Sequence, residues 1–317
     1  MFILFKKRGF SEYISDTITF FKTFGKHYFK NYFIINGGFL LILMVLVYFI
    51  FKVYWEVVFS AMGNPNSNYL ENYFSNNAVL FIGSLLLFVI LAVILSLLNF
   101  AFPILYIQLI EKNNGSDFTT ADLIMSLKEN FSRLLKFFLG LVFIILPLMM
   151  VVFVLLILMV FIVIGIPLFF IVGPAFLAWI MLSFHDYLIQ KTGFFESLKN
   201  GFGLVKQQFW TIIGTTFIMA ALVQIIQGII TLVPYFIGIF LVYTNGNPST
   251  TTTASQTEYL STMGVLMTVV MALSIVLSYF FNNFILVNQG IIYYSLREEN
   301  ENNTPKSQID LIGTKSE

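Results

Sequence analysis

Apolar positions in this chain do not alternate with polar ones; they run in unbroken blocks. From Phe137 to Phe184, between Lys136 and the pair His185-Asp186, 48 residues pass without an ionisable side chain. A bilayer core about 30 Å thick is crossed by about 20 helical residues. The block therefore holds two spans, with Gly165-Ile166-Pro167 as the expected turn. A proline suits the first turn of the second helix, because its missing N–H would be unpaired there anyway. Four further apolar stretches run from about Phe33 to Phe51, from Ala78 to Ile110, from Phe209 onward, and from about Leu260 to Leu296. Hydrocarbon offers no partner to an open backbone, so each stretch must close its own hydrogen bonds as a helix. The pattern predicts an all-α polytopic membrane protein with six transmembrane helices.

One stretch is too long for a single straight crossing. Phe209–Tyr243 is 35 residues, about 50 Å as a helix. It reads either as one span kinked at Pro234 or as a span followed by an interfacial helix. After it, Asn245-Gly-Asn-Pro-Ser249 and a threonine run read as a polar outer turn. The other outer connection, about Val53–Asn77, carries Trp55, Tyr69, Tyr73 and Phe74, and aromatic residues near a span end favour the headgroup level.

Before each odd-numbered span the period changes. Ile18, Phe21, Tyr28 and Tyr32 recur at near-helical spacing beside the stripe Lys22, Lys26, Lys30. Leu127, Phe131, Leu134 and Leu135 form a second face, and Leu198, Phe202, Val205 and Phe209 a third. Helical spacing puts each set on one side of a helix. Each segment enters the membrane through a basic residue and an aromatic one: Lys30-Asn-Tyr-Phe33, Lys136-Phe137 and Lys206-Gln-Gln-Phe209-Trp210. A lysine can reach up to lipid phosphate while the ring sits below it. The expected architecture is thus three hairpins, each preceded by a cytoplasmic amphipathic helix. Lys22, Lys26, Lys30, Lys136, Lys206 and Trp210 are the candidate lipid- and interface-binding residues. Residues 1–32 form a cytoplasmic amphipathic segment, 33–296 the six-helix transmembrane domain and 297–317 a cytoplasmic tail.

Charge sets the orientation. Sixteen of the 17 Lys and Arg residues fall in the N-terminal segment, after the second and fourth spans, or at the C-terminus, and Lys52 alone falls on the other side. Basic residues stay inside, so both termini are expected in the cytoplasm. Composition agrees with lipid as the solvent: 58% of residues are apolar and 10% charged, where a soluble domain carries about a quarter charged. A formal charge of +1 gives no global field for nucleic acid. There is no cysteine, which excludes disulfides and thiolate metal sites. The opening Met1-Phe-Ile-Leu-Phe-Lys-Lys-Arg8 does not have the order of a secretory signal, which places basic residues before the apolar stretch, and reads as an interfacial anchor.

Ionisable or strongly polar groups inside apolar stretches are the default functional candidates in a membrane protein. They are Asn99, His185, Asp186, Gln224, Gln227, Asn282 and Asn283, with Asn288 and Gln289 following. Counted from the outer span ends, Asn99, His185 and Asn282 lie about 30 Å in, close to the cytoplasmic interface. They form either a polar vestibule or interhelical hydrogen bonds, and the second reading is favoured. Catalytic signatures are not found. Two histidines, His27 and His185, make no metal cluster, and neither a nucleophile elbow nor a phosphate loop occurs. Adjacent His185 and Asp186 point about 100° apart on a helix. No catalytic residue, metal or cofactor is expected, and the chain does not read as an enzyme.

The segment Gly193-Phe-Phe-Glu-Ser-Leu-Lys-Asn-Gly-Phe-Gly-Leu-Val-Lys-Gln-Gln-Phe-Trp210 resembles an amphipathic entry element of poorly characterised bacterial membrane families. The stretch Gln289-Gly-Ile-Ile-Tyr-Tyr-Ser-Leu-Arg297-Glu-Glu is similar to their closing element. That group resembles the membrane domain attached to some glycerophosphodiester phosphodiesterases, and the chain looks like a Bacteroidetes-type member. The resemblance implies a hairpin-built membrane domain in a bacterial inner (cytoplasmic) membrane. The catalytic domain of those enzymes has no counterpart in the sequence, so their activity is not implied.

Two functional readings follow. The first is a non-enzymatic membrane-organising or accessory protein whose basic, aromatic helices engage membrane lipids, with a membrane-protein partner as a further prospect. The second is a transporter or channel for a small or amphiphilic solute, prompted by Pro103, Pro147, Pro174 and Pro234 near the Asn and Gln residues.

Overall fold

The computed structural model describes residues 2–63, 69–161, 163–245 and 253–301. Among these residues the fold is all-α, without a strand. In order come α1 (Phe10–Gly63), α2 (Tyr69–Asn113), α3 (Thr120–Gly140), a π-helical turn (Leu141–Ile145), α4 (Leu146–Val160), α5 (Gly165–Ile189), α6 (Phe194–Gln207), α7 (Phe209–Asn245) and α8 (Thr253–Glu301). Six stretches are long and apolar enough to cross a membrane: Phe10–Trp55, Asn77–Asn113, Thr120–Val160, Gly165–Ile189, Phe209–Ile237 and Gly264–Glu301. They make three hairpins, each opened by an amphipathic segment. Little of the most apolar part of each span is covered by protein, only 11% in the second and third, which suits hydrocarbon as the solvent.

Two of the three amphipathic segments are continuous with their spans. Helix α1 has 54 residues without a break, about 80 Å against a hydrocarbon core of about 30 Å. Its first part therefore lies outside the apolar block. Helix α3 continues into α4 through the π turn. A proline ring clashes with the carbonyl four residues back, and for Pro147 that is Phe143, inside the widened turn. Only α6 is separated from its span, at Gln208, where φ −132° and ψ 48° leave the helical region.

The turn between the central spans falls earlier than the sequence indicates. The reversal follows Val160, with Phe161, Val163 and Ile164 outside the helices, and Gly165 already opens α5. Glycine is required there for another reason: a Cβ on Gly165 would lie 2.6 Å from the Leu156 carbonyl oxygen. Val163 reverses the chain in a left-handed conformation, φ 66°. Pro167 sits in the first turn of α5, as expected. Helix α7 runs unbroken over Phe209–Asn245, so that long stretch is a single element. Much of the expected connection over 53–77 is helical, since α1 continues to Gly63 and α2 begins at Tyr69. The polar turn after Asn245 and the tail beyond Glu301 lie outside the described residues.

The chain divides into two compact units. One comprises Met1–Asn31, Phe100–Ala221 and Phe284–Glu317, the other Tyr32–Asn99 and Leu222–Asn283. Every described Lys and Arg except Lys52 belongs to the first. In that unit the ends of three even-numbered spans are buried on all sides: Ala101–Ile107 of α2, Ile180–Leu188 of α5 and Ile285–Leu296 of α8. The amphipathic segments pack around them. Phe137 of α3 stacks on Phe184 of α5 at 4.5 Å, Tyr28 of α1 meets Phe102 of α2 at 5.0 Å, and Trp179 Nε1 of α5 donates to the Leu198 carbonyl of α6 at 2.8 Å.

Candidate functional site

The three amphipathic segments start alike. In each, a carboxylate in the first turn accepts the backbone N–H of the residue capping the helix: Glu12 from Gly9 at 2.9 Å, Asp122 from Thr119 at 2.7 Å, and Glu196 from Gly193 at 3.3 Å. This satisfies a donor the helix leaves open and puts negative charge at the positive end of its dipole. At α3 the box is complete, with Thr119 Oγ1 accepting from the Asp122 N–H at 3.4 Å.

Their apolar faces are wider than the protein covers. On α3, Leu123, Leu127, Leu134 and Phe137 are buried, whereas Ile124, Phe131, Leu135 and Leu139 are exposed. On α6, Leu198 and Val205 are buried, while Phe195, Phe202, Phe209 and Trp210 are exposed, Phe195 at 69% and Trp210 at 70%. Lysines alternate with these exposed groups. The order is Ile124, Lys128, Phe131, Leu135 on α3 and Phe195, Lys199, Phe202, Lys206, Phe209 on α6. On α1, exposed Ile18 is followed by Lys22, Lys26 and Lys30. The candidate lysines 22, 26, 30, 136 and 206 are all exposed, and Lys206 Nζ lies 4.5 Å above the Phe202 ring.

Beneath these faces lies a polar core that hydropathy does not reveal. Arg8 is buried; its Nε donates to Asp16 at 2.8 Å and its two terminal nitrogens to the Ile3, Leu4 and Lys6 carbonyls. The segment read as an interfacial anchor is thus folded back on its own arginine. Beside it Lys6 donates to Glu12 at 2.8 Å, which raises the lysine pKa above its ordinary 10.5. Asn288 donates to Thr17 at 2.9 Å and Gln289 to Thr216 at 2.9 Å. Tyr294 donates to Glu111 at 2.6 Å, and Arg297 bridges Glu111 at 3.4 Å and Glu301 at 3.0 Å. The end of α8 thereby ties together α1, α2 and α7. His27 pairs with the Tyr106 hydroxyl at 2.8 Å and the Phe118 carbonyl at 3.1 Å.

The polar residues singled out in the spans fall into separate places. His185 is buried, with Nδ1 2.8 Å from the Met181 carbonyl and the ring stacked on Tyr293 at 5.2 Å; its Nε2 has no partner. Asp186, its sequence neighbour, accepts instead from Thr192 Oγ1 at 2.9 Å and Asn200 Nδ2 at 3.0 Å. Asn99 is in the other unit, 2.8 Å from the Tyr32 hydroxyl, with Asn283 close by, donating to the Tyr279 carbonyl at 2.8 Å. Gln227 donates to the Ser274 carbonyl at 3.3 Å. Gln224 is exposed and Asn282 half-buried.

Two cavities open in the first unit. One, of about 710 Å³, lies among the ends of α2, α3 and α5 and mixes Glu111, Asp117, Asp122 and Glu129 with Lys112 and Lys191. The other, of about 500 Å³, lies among α5, α6 and α8, and Gln190 and Arg297 line both. No group of three or more His, Asp or Glu suited to a metal ion occurs among the described residues.

Taken together, the fold and this constellation define a polytopic, all-α integral membrane protein built of three hairpins. Compared with protein-family models, with curated proteins and with solved structures, the chain matches none.

Proposed function

We propose that this is a non-enzymatic, lipid-interacting protein of the bacterial inner (cytoplasmic) membrane, with both termini in the cytoplasm, acting as a membrane-organising or accessory component. The observation that carries the reading is the alternation of exposed apolar side chains and lysines along α3 and α6, with the lysine stripe of α1 beside exposed Ile18. In water such a face would hold Phe131, Phe195, Phe202 and Trp210 against solvent. At a bilayer surface the rings enter the acyl boundary while the lysines reach the phosphates. An anionic leaflet attracts each lysine by about 1 kcal/mol. The division of basic residues supports the orientation. On this reading the likeness to the membrane domain of glycerophosphodiester phosphodiesterases extends to membrane attachment and not to hydrolysis.

The chain has no cysteine, so nitroxide labels can be placed singly without removing anything. In nanodiscs, labels at Phe131→Cys and Phe202→Cys are expected to relax more with oxygen than with a water-soluble nickel chelate. Labels at Glu129→Cys and Glu196→Cys should show the reverse. Water-like behaviour at all four positions sinks the proposal.

A further inference from the structure

The cavity bounded by α5, α6 and α8 holds groups that the fold leaves unused. Its volume of about 500 Å³ is in the usual range of small-ligand sites, about 300–1,000 Å³. Asp186 in its wall is only 7% exposed. Thr192 and Asn200 fix one carboxylate oxygen, but both are neutral donors, and among the described residues no cation pairs with it. Tyr293 in the same wall is 1% exposed, its hydroxyl beside the Gln190 side chain but without a hydrogen bond of good geometry. Lys199 faces the cavity from α6 and forms no ion pair among the described residues, whereas Arg297 is already neutralised by Glu111 and Glu301.

A buried carboxylate without a cation, an unpaired ammonium and a hydroxyl held only loosely are together the complement of a zwitterion. Lys199 also belongs to the exposed α6 face that carries Phe195, Phe202 and Lys206, so the cavity is next to the surface proposed above to meet lipid. We infer that this cavity takes a phosphoethanolamine head group, its ammonium on Asp186 and its phosphate on Lys199 and the Tyr293 hydroxyl, as part of an amine-bearing phospholipid. A purely anionic head group would bring its phosphate toward a carboxylate withdrawn from water, where repulsion is strong. A choline head group has no N–H to give Asp186. The inference rests on the interfacial reading of α6, yet the two fail separately, because the variants below leave the lysine–aromatic stripes unchanged.

The test uses the full chain in detergent micelles offered equal amounts of dioleoyl phosphatidylethanolamine, phosphatidylcholine and phosphatidylglycerol, with retained lipid counted by native mass spectrometry. The ethanolamine lipid should be retained about tenfold over the other two. Tyr293→Phe removes only the hydroxyl oxygen and should lower that preference at least threefold. Asp186→Asn should bring the ethanolamine and choline lipids to equal retention. Equal retention of all three by the unsubstituted chain overturns the inference, as does a preference unchanged in Tyr293→Phe. Soluble O-phosphoethanolamine is the second arm. Retention of the lipid without uptake of the soluble compound is the expected result, and uptake of the soluble compound in preference to the lipid overturns the assignment to a membrane ligand.

Discussion

Gly201 of α6 rests directly on Ser183 of α5: a Cβ at Gly201 would stand 2.6 Å from the Ser183 backbone nitrogen and 2.8 Å from its Cα. Neither atom can yield, since both belong to a buried helix whose Ser183 hydroxyl is bonded to the Trp179 carbonyl at 2.7 Å. Two residues on, Gly203 has nothing within 4 Å of such a Cβ. Alanine is favoured over glycine in a helix by about 1 kcal/mol, whereas forcing a methyl group into a packed contact costs about 1–3 kcal/mol. Gly203→Ala should therefore raise the thermal unfolding midpoint and Gly201→Ala lower it, measured by circular dichroism in one detergent. Equal shifts from the two would show that α6 does not seat on α5 as described.

Arg8 holds the N-terminal segment by bonds from a charged group to three carbonyls and to Asp16. Hydrogen bonds of this kind contribute about 1.5–3 kcal/mol each when buried. Arg8→Ala should expose the backbone of residues 2–8 to hydrogen exchange, with little change at Ala101–Ile107. Arg8→Lys should restore only part of the protection, because an ammonium cannot supply the planar fork of donors. Full protection in Arg8→Ala would mean that the apolar contacts of Phe2 with Phe20 and of Phe5 with Tyr294, at 5.4 and 5.3 Å, suffice.

The contrast between these two sites shows what hydropathy can and cannot convey. The six spans and three amphipathic segments were legible because burial in hydrocarbon is a property of long averages. Element boundaries were less so. Helix α1 runs on past the apolar block of Phe33–Phe51 because nothing in Val53–Gly63 breaks a helix, and aromatic residues that favour an interface do not end one. The turn between the central spans precedes Gly165-Ile166-Pro167, where the sequence suggests it, because glycine at 165 serves a close approach rather than the reversal itself. Within the amphipathic faces, Leu127 and Phe131 carry the same signal, yet one packs on protein and the other does not; partner identity is not written in periodicity. In the sequence Arg8 is one of a basic triplet, and only the fold separates it from Lys6 and Lys7. A usable signal was present for the helix starts, in Gly9-Phe-Ser-Glu12, Thr119-Thr-Ala-Asp122 and Gly193-Phe-Phe-Glu196, each a cap followed three residues later by a carboxylate. The match of the first and third strengthens the case for repeated units.

Asn99 and Tyr32 form a buried pair at 2.8 Å in the second unit. If they act as packing groups, their worth is mutual. Polar pairs between membrane helices contribute about 0.6 kcal/mol on average and up to about 1.7. In a double-mutant cycle, Asn99→Leu with Tyr32→Phe should be less destabilising than the sum of the two single changes by an amount in that range. Strict additivity, read from unfolding in mixed detergent, would remove the pair as a structural element.

Gln224 and Gln227 are three residues apart on α7 and differ in what surrounds them. Gln227 gives its amide to the Ser274 carbonyl at 3.3 Å, whereas Gln224 is exposed on the helix surface. A polar amide facing hydrocarbon without a partner gains nothing from being there. Gln224→Leu should leave stability unchanged or raise it, and Gln227→Leu should lower it by about 0.6 kcal/mol. Loss of stability in Gln224→Leu but not in Gln227→Leu would reverse the assignment. It would mean that the exposed amide has a partner on another molecule, which a shift to smaller particles in analytical ultracentrifugation of Gln224→Leu would reveal directly.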